Sequence, residues 1–280
     1  MPYKTIIVTL NELKAIESVL NVSVDLATTF EAHLTGLYVI PGPALYPAMG
    51  PYASPEMIDV VTGHFEERSK EIRNKVELMV KPAGIPFEWR ELRSVDPDIS
   101  STVSEESRTA DLIVLSEPDP NSSMGVERDF VVNVVIDSGR PVLILPHTGR
   151  PQLKLEQIIC GYNGSRESAR AIHDALPLLK LASDVRVVWV DPSKTPHSAG
   201  TLPGADMAVS LSRHGVHATA EAMPTSGEDA GEALFTRAQD IGASLIVMGA
   251  YGHSRLREYI FGGATRSALS QMRVPLLMSH

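Results

Sequence analysis

The segment ASLIVMGAY, residues 243–251, has a counterpart at 110–118, ADLIVLSEP. Each opens on Ala and a polar residue, runs through an unbroken apolar stretch, and changes character at Gly249 or Ser116. A short apolar run without alternation fits a strand buried on both faces, the habit of parallel sheets. Working outward, RPVLILP (140–146) matches VPLLMSH (274–280), with Pro141 against Pro275. KTIIVTL (4–10) matches EQIICGY (156–162). The matches keep one order in both halves, so the chain repeats itself with a period near half its 280 residues.

Between these words, strand and helix patterns alternate. In the second half IICGY (158–162) reads as a strand and SRESARAIHDALPLLKLA (165–182) as a helix. Ser165 suits its N-cap, Ile172, Leu176 and Leu179 share a face, and Pro177 should kink it, having no N–H to donate. VRVVWV (185–190) is β-branched, ADMAVSLSRHG (205–215) is a short helix, and VHATAEAM (216–223) alternates like a strand. GEDAGEALFTRAQDIG (227–242) places Ala230, Leu234, Ala238 and Ile241 on one helical face. SLIVM (244–248) and PLLMS (275–279) close the set. The first half follows the same order, with a longer helix around 55–81 whose Ile58, Val61, Ile72, Val76 and Met79 form a core stripe. It also carries a proline-rich loop, IPGPALYPAMGPYASPE (40–56). The turn-rich PHTGRPQLK (146–154) joins the halves, giving domains at 1–148 and 153–280. Strand–helix alternation with right-handed crossovers implies an α/β, Rossmann-like, doubly wound parallel sheet in each half.

Composition narrows the function classes. Hydrophobic content of 43% and charged content of 21% are those of an ordinary globular chain. A formal net charge of −9, with no basic tract, argues against a nucleic-acid partner held by general electrostatics. Cys160 is the single cysteine, so an internal disulfide is excluded, which fits a reducing compartment. The N-terminus MPYKTIIVTLNELK lacks a signal-peptide plan, and no apolar run approaches the roughly 18 residues of a membrane helix. A cytoplasmic protein with no membrane partner is expected.

The stretch GAYGHSRLREYIFGGATRSAL (249–269) carries the chemistry. Gly249 and Gly252 follow directly on the strand SLIVM, and Gly262-Gly263 precede the helix pattern ATRSALSQM. Ligands in a doubly wound sheet lie beyond the carboxyl ends of strands, where the strand order reverses. Glycine there lets backbone N–H groups approach an anion, and the N–H groups of a helix start bind phosphate. Thr265, Arg255 and Arg257 add a hydroxyl and charge. On spacing alone a second reading stands equally: the glycines are sharp turns and a cap. Neither GxxxxGK[ST] nor GxGxxG after a first strand is present.

The full pattern G-x2-G-x9-G after an LIVMG strand resembles the nucleotide signature of the universal stress protein family. YNGS (162–165), SLIVMGAYG, FGGATRSAL and the closing VPLLM resemble that family too, and the resemblance covers both halves as a tandem arrangement. It implies two tandem five-stranded parallel sheets of the adenine nucleotide alpha hydrolase type. It also implies ATP or another adenine nucleotide, with Mg²⁺ as a companion, in the second half. Gly249, Gly252, Gly262, Gly263, Ala264 and Thr265 would hold ribose and phosphates, with His253 beside them. Asn163 and Gly164 would form the turn after the first strand, and Val190 and Met248 would border the adenine. Two positions depart from the family: Asn163 stands where an acid is usual, and Gly263 where a serine is. An amide hydrogen-bonds a ribose or base but carries no charge for a metal.

In the first half SEPDPNSSMGVERD lacks the glycine pairs. Ser116 and Asp119 stand near the places of Gly249 and Gly252, Arg128 stands against Gly262, and TLNE (9–12) replaces YNGS. Glu117, Asp119, Glu127 and Asp129 would repel a phosphate. The first half is expected to keep the fold without the phosphate site and to pair with the second as a built-in mate. Pairing of two chains into a homodimer is a further expectation.

Other residues read more simply. His214 and His217 have a metal-like spacing but lie across a helix-to-strand turn with no carboxylate at ligand spacing. Cys160 sits in an apolar strand and should be buried. Trp89 and Trp189 should pack, and Glu105-Glu106 should be a solvated helix face. G-x-S-x-G is absent, and Ser165 is explained as a cap, so no catalytic residue is assigned. Three readings follow: a nucleotide-binding stress or regulatory protein, a slow Mg²⁺-dependent ATPase or phosphotransferase, and a ligand-free scaffold.

Overall fold

The computed structural model describes residues 2–42, 55–119, 126–127, 129–147, 153–192, 202–225, 227–250, 268–269 and 272–280. They divide into two compact units, 2–140 and 141–280.

In the first unit the order is β1 (Thr5–Thr9), α1 (Ile16–Phe30), β2 (His33–Ile40), α2 (Pro55–Val80), β3 (Phe87–Arg93), α3 (Ser100–Ser107), β4 (Leu112–Ser116) and α4 (Phe130–Asp137). All paired strands run parallel, in the order β3-β2-β1-β4. The apolar run that first suggested a strand, LIVLS, is buried along its whole length. Ile72, Val76 and Val80 of α2 are buried, joined by Phe65. The expected stripe therefore packs along this part of the helix, with Met79 half-buried. The side chains of Ile58 and Val61, and residues 43–54 of the proline-rich loop, lie outside the described residues.

The second unit contains β5 (Val142–Leu145), β6 (Gln157–Gly161), α5 (Arg166–Asp174), α6 (Leu176–Leu179), β7 (Asp184–Val190), α7 (Ala205–Arg213), β8 (Ala218–Met223), α8 (Ala230–Ile241), β9 (Leu245–Gly249) and β10 (Leu276–Ser279). The strand order is β5-β10-β9-β6-β7-β8. β6 to β10 are mutually parallel, whereas β5, the last strand of the first repeat, runs antiparallel to β10 with Leu143 opposite Leu277. Both strands of that pair are fully buried. Each covers an edge that the other would leave open. The two repeats thus supply five strands each to an α/β, Rossmann-like architecture. Among the described residues no helix is long and apolar enough to cross a membrane.

Local chemistry sets the helix ends around the site. Ser165 caps α5, its Oγ accepting the Ser168 N–H at 3.1 Å, a bond worth about 1 kcal/mol. The helix expected over 165–182 breaks at Ala175, with Pro177 in the first turn of α6, where a missing N–H costs nothing. Asp229 caps α8 through the Gly231 N–H at 2.8 Å.

Candidate functional site

β6 lies between β7 and β9, and the chain leaves it toward β7 but returns to it from β9. That reversal makes the carboxyl ends of β6 and β9 the switch point of the second unit. Gly161 pairs with Met248, so Asn163 and Gly164 emerge beside Gly249. Val190 ends β7 on the other flank, half-buried, opposite Met223. The structure therefore brings Asn163, Gly164, Val190, Met248 and Gly249 to one end of one sheet. Gly252, His253, Gly262, Gly263, Ala264 and Thr265 lie outside the described residues.

The turn after β6 is held by its own side chains. Asn163 Oδ1 accepts the Ser165 N–H at 3.1 Å, and Gly164 takes a φ of +75° that favours glycine. The Asn163 oxygen is thereby committed to the turn, and its Nδ2 is the group it can offer a ligand. Trp189 packs beneath: a Cβ on Gly164 would lie 3.2 Å from the indole edge. The Tyr162 ring meets the same indole edge-on, with centroids 5.4 Å apart. Trp189 is buried, and its Nε1 has no partner among the described residues.

Gly249 has a reason of its own. A Cβ there would stand 2.4 Å from both the Glu167 carbonyl carbon and the Ser168 nitrogen. The first turn of α5 rests directly on the end of β9, and only a residue without a side chain allows it. This close helix–strand contact is a requirement for glycine that spacing alone did not suggest. Sequence reading also missed Asp191, whose φ of +46° follows Val190. Both its carboxylate oxygens accept from Thr225, one from N–H and one from Oγ1, each at 2.7 Å.

No cluster of three or more His, Cys, Asp or Glu suited to a metal ion occurs among the described residues. With Asn163 neutral at the turn, these residues do not fit a Mg²⁺ ion, and no chemistry is derived through one. The histidine pair needs a correction. His217 does have a carboxylate neighbour, Asp184, at 3.5 Å, because the start of β7 lies beside the entry to β8. His214 instead meets the ring of His173, 6.4 Å between centroids, so the two histidines serve separate contacts. Glu106 is also not simply solvated: it pairs with Arg90 of β3. Cys160 is fully buried, and burial pushes its thiol far up. Trp89 stacks on Tyr38, 6.4 Å between centroids.

The first unit carries a different set at its own switch point, between β1 and β4. Glu12 and Asp119 are both buried there, at 6% and 8% exposure. Lys14 Nζ donates to Asp119 Oδ2 at 2.6 Å. Glu12 Oε2 accepts the Asp119 N–H at 3.5 Å, and the carboxyl also bonds the Val126 N–H. Glu12 Oε1 is buried without a partner among the described residues. Burial raises the Glu12 carboxyl above its ordinary range, against the lowering pull of those two N–H groups and of Lys14. Of the acidic residues expected to repel phosphate, Asp119 is buried, Glu117 is half-buried, and Glu127 and Asp129 are exposed.

The model of the universal stress protein family matches residues 154–280. This second repeat belongs to the universal stress protein family. Solved structures extend the likeness to the whole chain. A universal stress protein from Archaeoglobus fulgidus DSM 4304 superposes with a TM-score of 0.74 at 18% identity, over 100% of this chain and 96% of that one. A putative universal stress protein from Pseudomonas aeruginosa UCBPP-PA14 gives 0.58 at 14% identity, over 99% and 93%. A functionally unknown protein from Pseudomonas aeruginosa PAO1 gives 0.57 at 13%, over 99% and 92%. These identities speak for fold alone, and they extend the universal stress protein architecture to the first repeat. No sequence relative matches among curated proteins.

Proposed function

We propose that the second repeat binds ATP or a related adenine nucleotide and that the protein serves a cytoplasmic stress-response or regulatory role. The observation that carries this reading is the G-x2-G-x9-G spacing in the sequence, whose first glycine, Gly249, ends β9 beside the Asn163–Gly164 turn at the switch point. Backbone donors past a parallel strand suit phosphates, and the Asn163 amide suits a ribose or base. Membership of residues 154–280 in the universal stress protein family supports the same ligand class. The groups assigned are binding groups, so ligand-dependent change of surface or assembly is the expected output rather than turnover. The first repeat acts as a structural mate, with domains at 1–148 and 153–280, and two chains pair into a homodimer.

The test is to denature purified protein, identify released nucleotide by mass spectrometry, and titrate ATP calorimetrically into wild type and Gly252→Asp. Binding in the wild type and its loss in the variant is the expected result. The substitution places in the second repeat the acid that stands in the first at Asp119. Absence of any nucleotide in wild type, released or titrated, would overturn the reading in favour of a ligand-free scaffold.

A further inference from the structure

The first repeat holds at its switch point a group that the second lacks. The strands β1 (Thr5–Thr9) and β6 (Gln157–Gly161) correspond residue for residue, which puts Glu12 at the place of Gly164 and Lys14 at that of Arg166, one place off the match of TLNE with YNGS. Asp119 stands three residues beyond Ser116, as Gly252 stands three beyond Gly249. The backbones diverge at this point: Glu12 is extended, φ −91° and ψ 99°, whereas Gly164 turns at φ +75°. Glu12 is buried and bonds the Asp119 and Val126 N–H groups, both in the segment that follows β4. Asp119, which would otherwise oppose a second carboxylate, is tied to Lys14 at 2.6 Å.

N–H groups beyond the end of a parallel strand are where an external anion would bind. We propose that Glu12 is the built-in occupant of that position in the first repeat. Its carboxyl takes the backbone donors of Asp119 and Val126, so the first repeat is closed to phosphate by its own side chain and not by loss of the donors. A tethered carboxyl competes at the high effective concentration of an intramolecular group, which a free anion in dilute solution does not match. Lys14 makes the arrangement tolerable by neutralising Asp119 beside it. Glu12 Oε1, buried and without a partner among the described residues, fits a side chain placed for its other oxygen alone. This inference concerns the first repeat and stands whether or not the second binds nucleotide.

The experiment uses the full chain, isotopically labelled, as wild type, Glu12→Gln and Glu12→Ala, with amide exchange and amide shifts read at Asp119 and Val126. Glu12→Ala should speed exchange at these two amides about ten-fold, the protection one hydrogen bond of ordinary net strength confers. Inorganic phosphate or acetate in excess should then shift both resonances and restore protection. Glu12→Gln, which keeps an acceptor oxygen, should hold its protection and ignore phosphate, as should the wild type. Unchanged exchange in Glu12→Ala, or phosphate shifts as large in the wild type as in the variant, would overturn the proposal. So would a folded Glu12→Ala that gains no phosphate response. If Glu12→Ala does not fold, Glu12→Gln decides alone: both amide protons must move upfield as the charged acceptor is lost, and unmoved resonances sink the idea.

Discussion

Replacing Gly249 by Ala should destabilise the second unit through packing, with no ligand involved. The added Cβ would sit 2.4 Å from two backbone atoms of α5. Ordinary carbon contacts lie at about 3.5–4.0 Å, so the first turn of α5 must withdraw by about 1 Å. A flexible side chain could swing aside, but the backbone of Glu167 and Ser168 cannot. Overpacking of this kind costs about 1–3 kcal/mol, and the same displacement strains the Ser165–Ser168 cap, worth about 1 kcal/mol more. A total near 3 kcal/mol corresponds to a fall of roughly 10 °C in the melting temperature of a unit this size. The two tryptophans make the assay selective, since Trp89 lies in β3 and Trp189 in β7. On a Trp89→Phe background, urea unfolding followed by fluorescence reports the second unit alone. Ala at Gly63, a helical position with nothing within 4 Å of its Cβ, should act oppositely and stabilise the first unit by about 0.5–1 kcal/mol. A Gly249→Ala variant within about 0.5 kcal/mol of wild type, the usual span for a surface substitution, would refute the contact as described. The same result bears on function, because a ligand assay at Gly249 mixes packing with binding, which is why Gly252 carries the nucleotide test.

Two further outcomes follow from the caps and the buried acid. Ser165→Ala should lower the second unit's stability by about 1 kcal/mol, read from the same Trp189 transition, while Ser165→Asp should retain most of it; equal losses in both would remove the cap as the cause. Because burial raises the Glu12 carboxyl, the folded first unit binds that proton more tightly than the unfolded chain does. Its stabilising contribution is full below the ordinary glutamate range and is lost as pH climbs through the raised value. Urea midpoints of Glu12→Gln and wild type, read from Trp89 on a Trp189→Phe background, should therefore diverge in favour of Gln across the pH range from the ordinary glutamate value up through the raised one. A constant gap across that range would show that Glu12 does not titrate differently on folding.

Much of the fold was legible because parallel strands buried on both faces leave unbroken Val, Ile and Leu runs, and LIVLS and LIVMG are such runs. Ser165 and Pro177 were legible for a local reason, since a cap and a missing N–H act within one turn of the residue concerned. What could not be read depends on approach in space. Nothing around Gly249 announces that Glu167, 82 positions earlier, lies against it. Glu12 and Asp119 stand 107 residues apart and meet only because β1 and β4 are neighbours. The contact of His217 with Asp184 likewise comes from two strands lying side by side. Their proximity follows from strand order, which the sequence carries only as a rule about crossovers.

The antiparallel pair of β5 and β10 bears on the order in which the chain can finish folding. Val142–Leu145 leaves the ribosome long before its partner Leu276–Ser279. Such a non-local pairing must wait for the intervening chain, and contacts of that kind slow folding. Through that interval a wholly apolar edge strand stands without its neighbour, the condition under which strands pair with the wrong chain. The cost of building both repeats into one polypeptide therefore falls on the nascent protein, at four residues whose sequence, VLIL, carries no charge to keep other strands away.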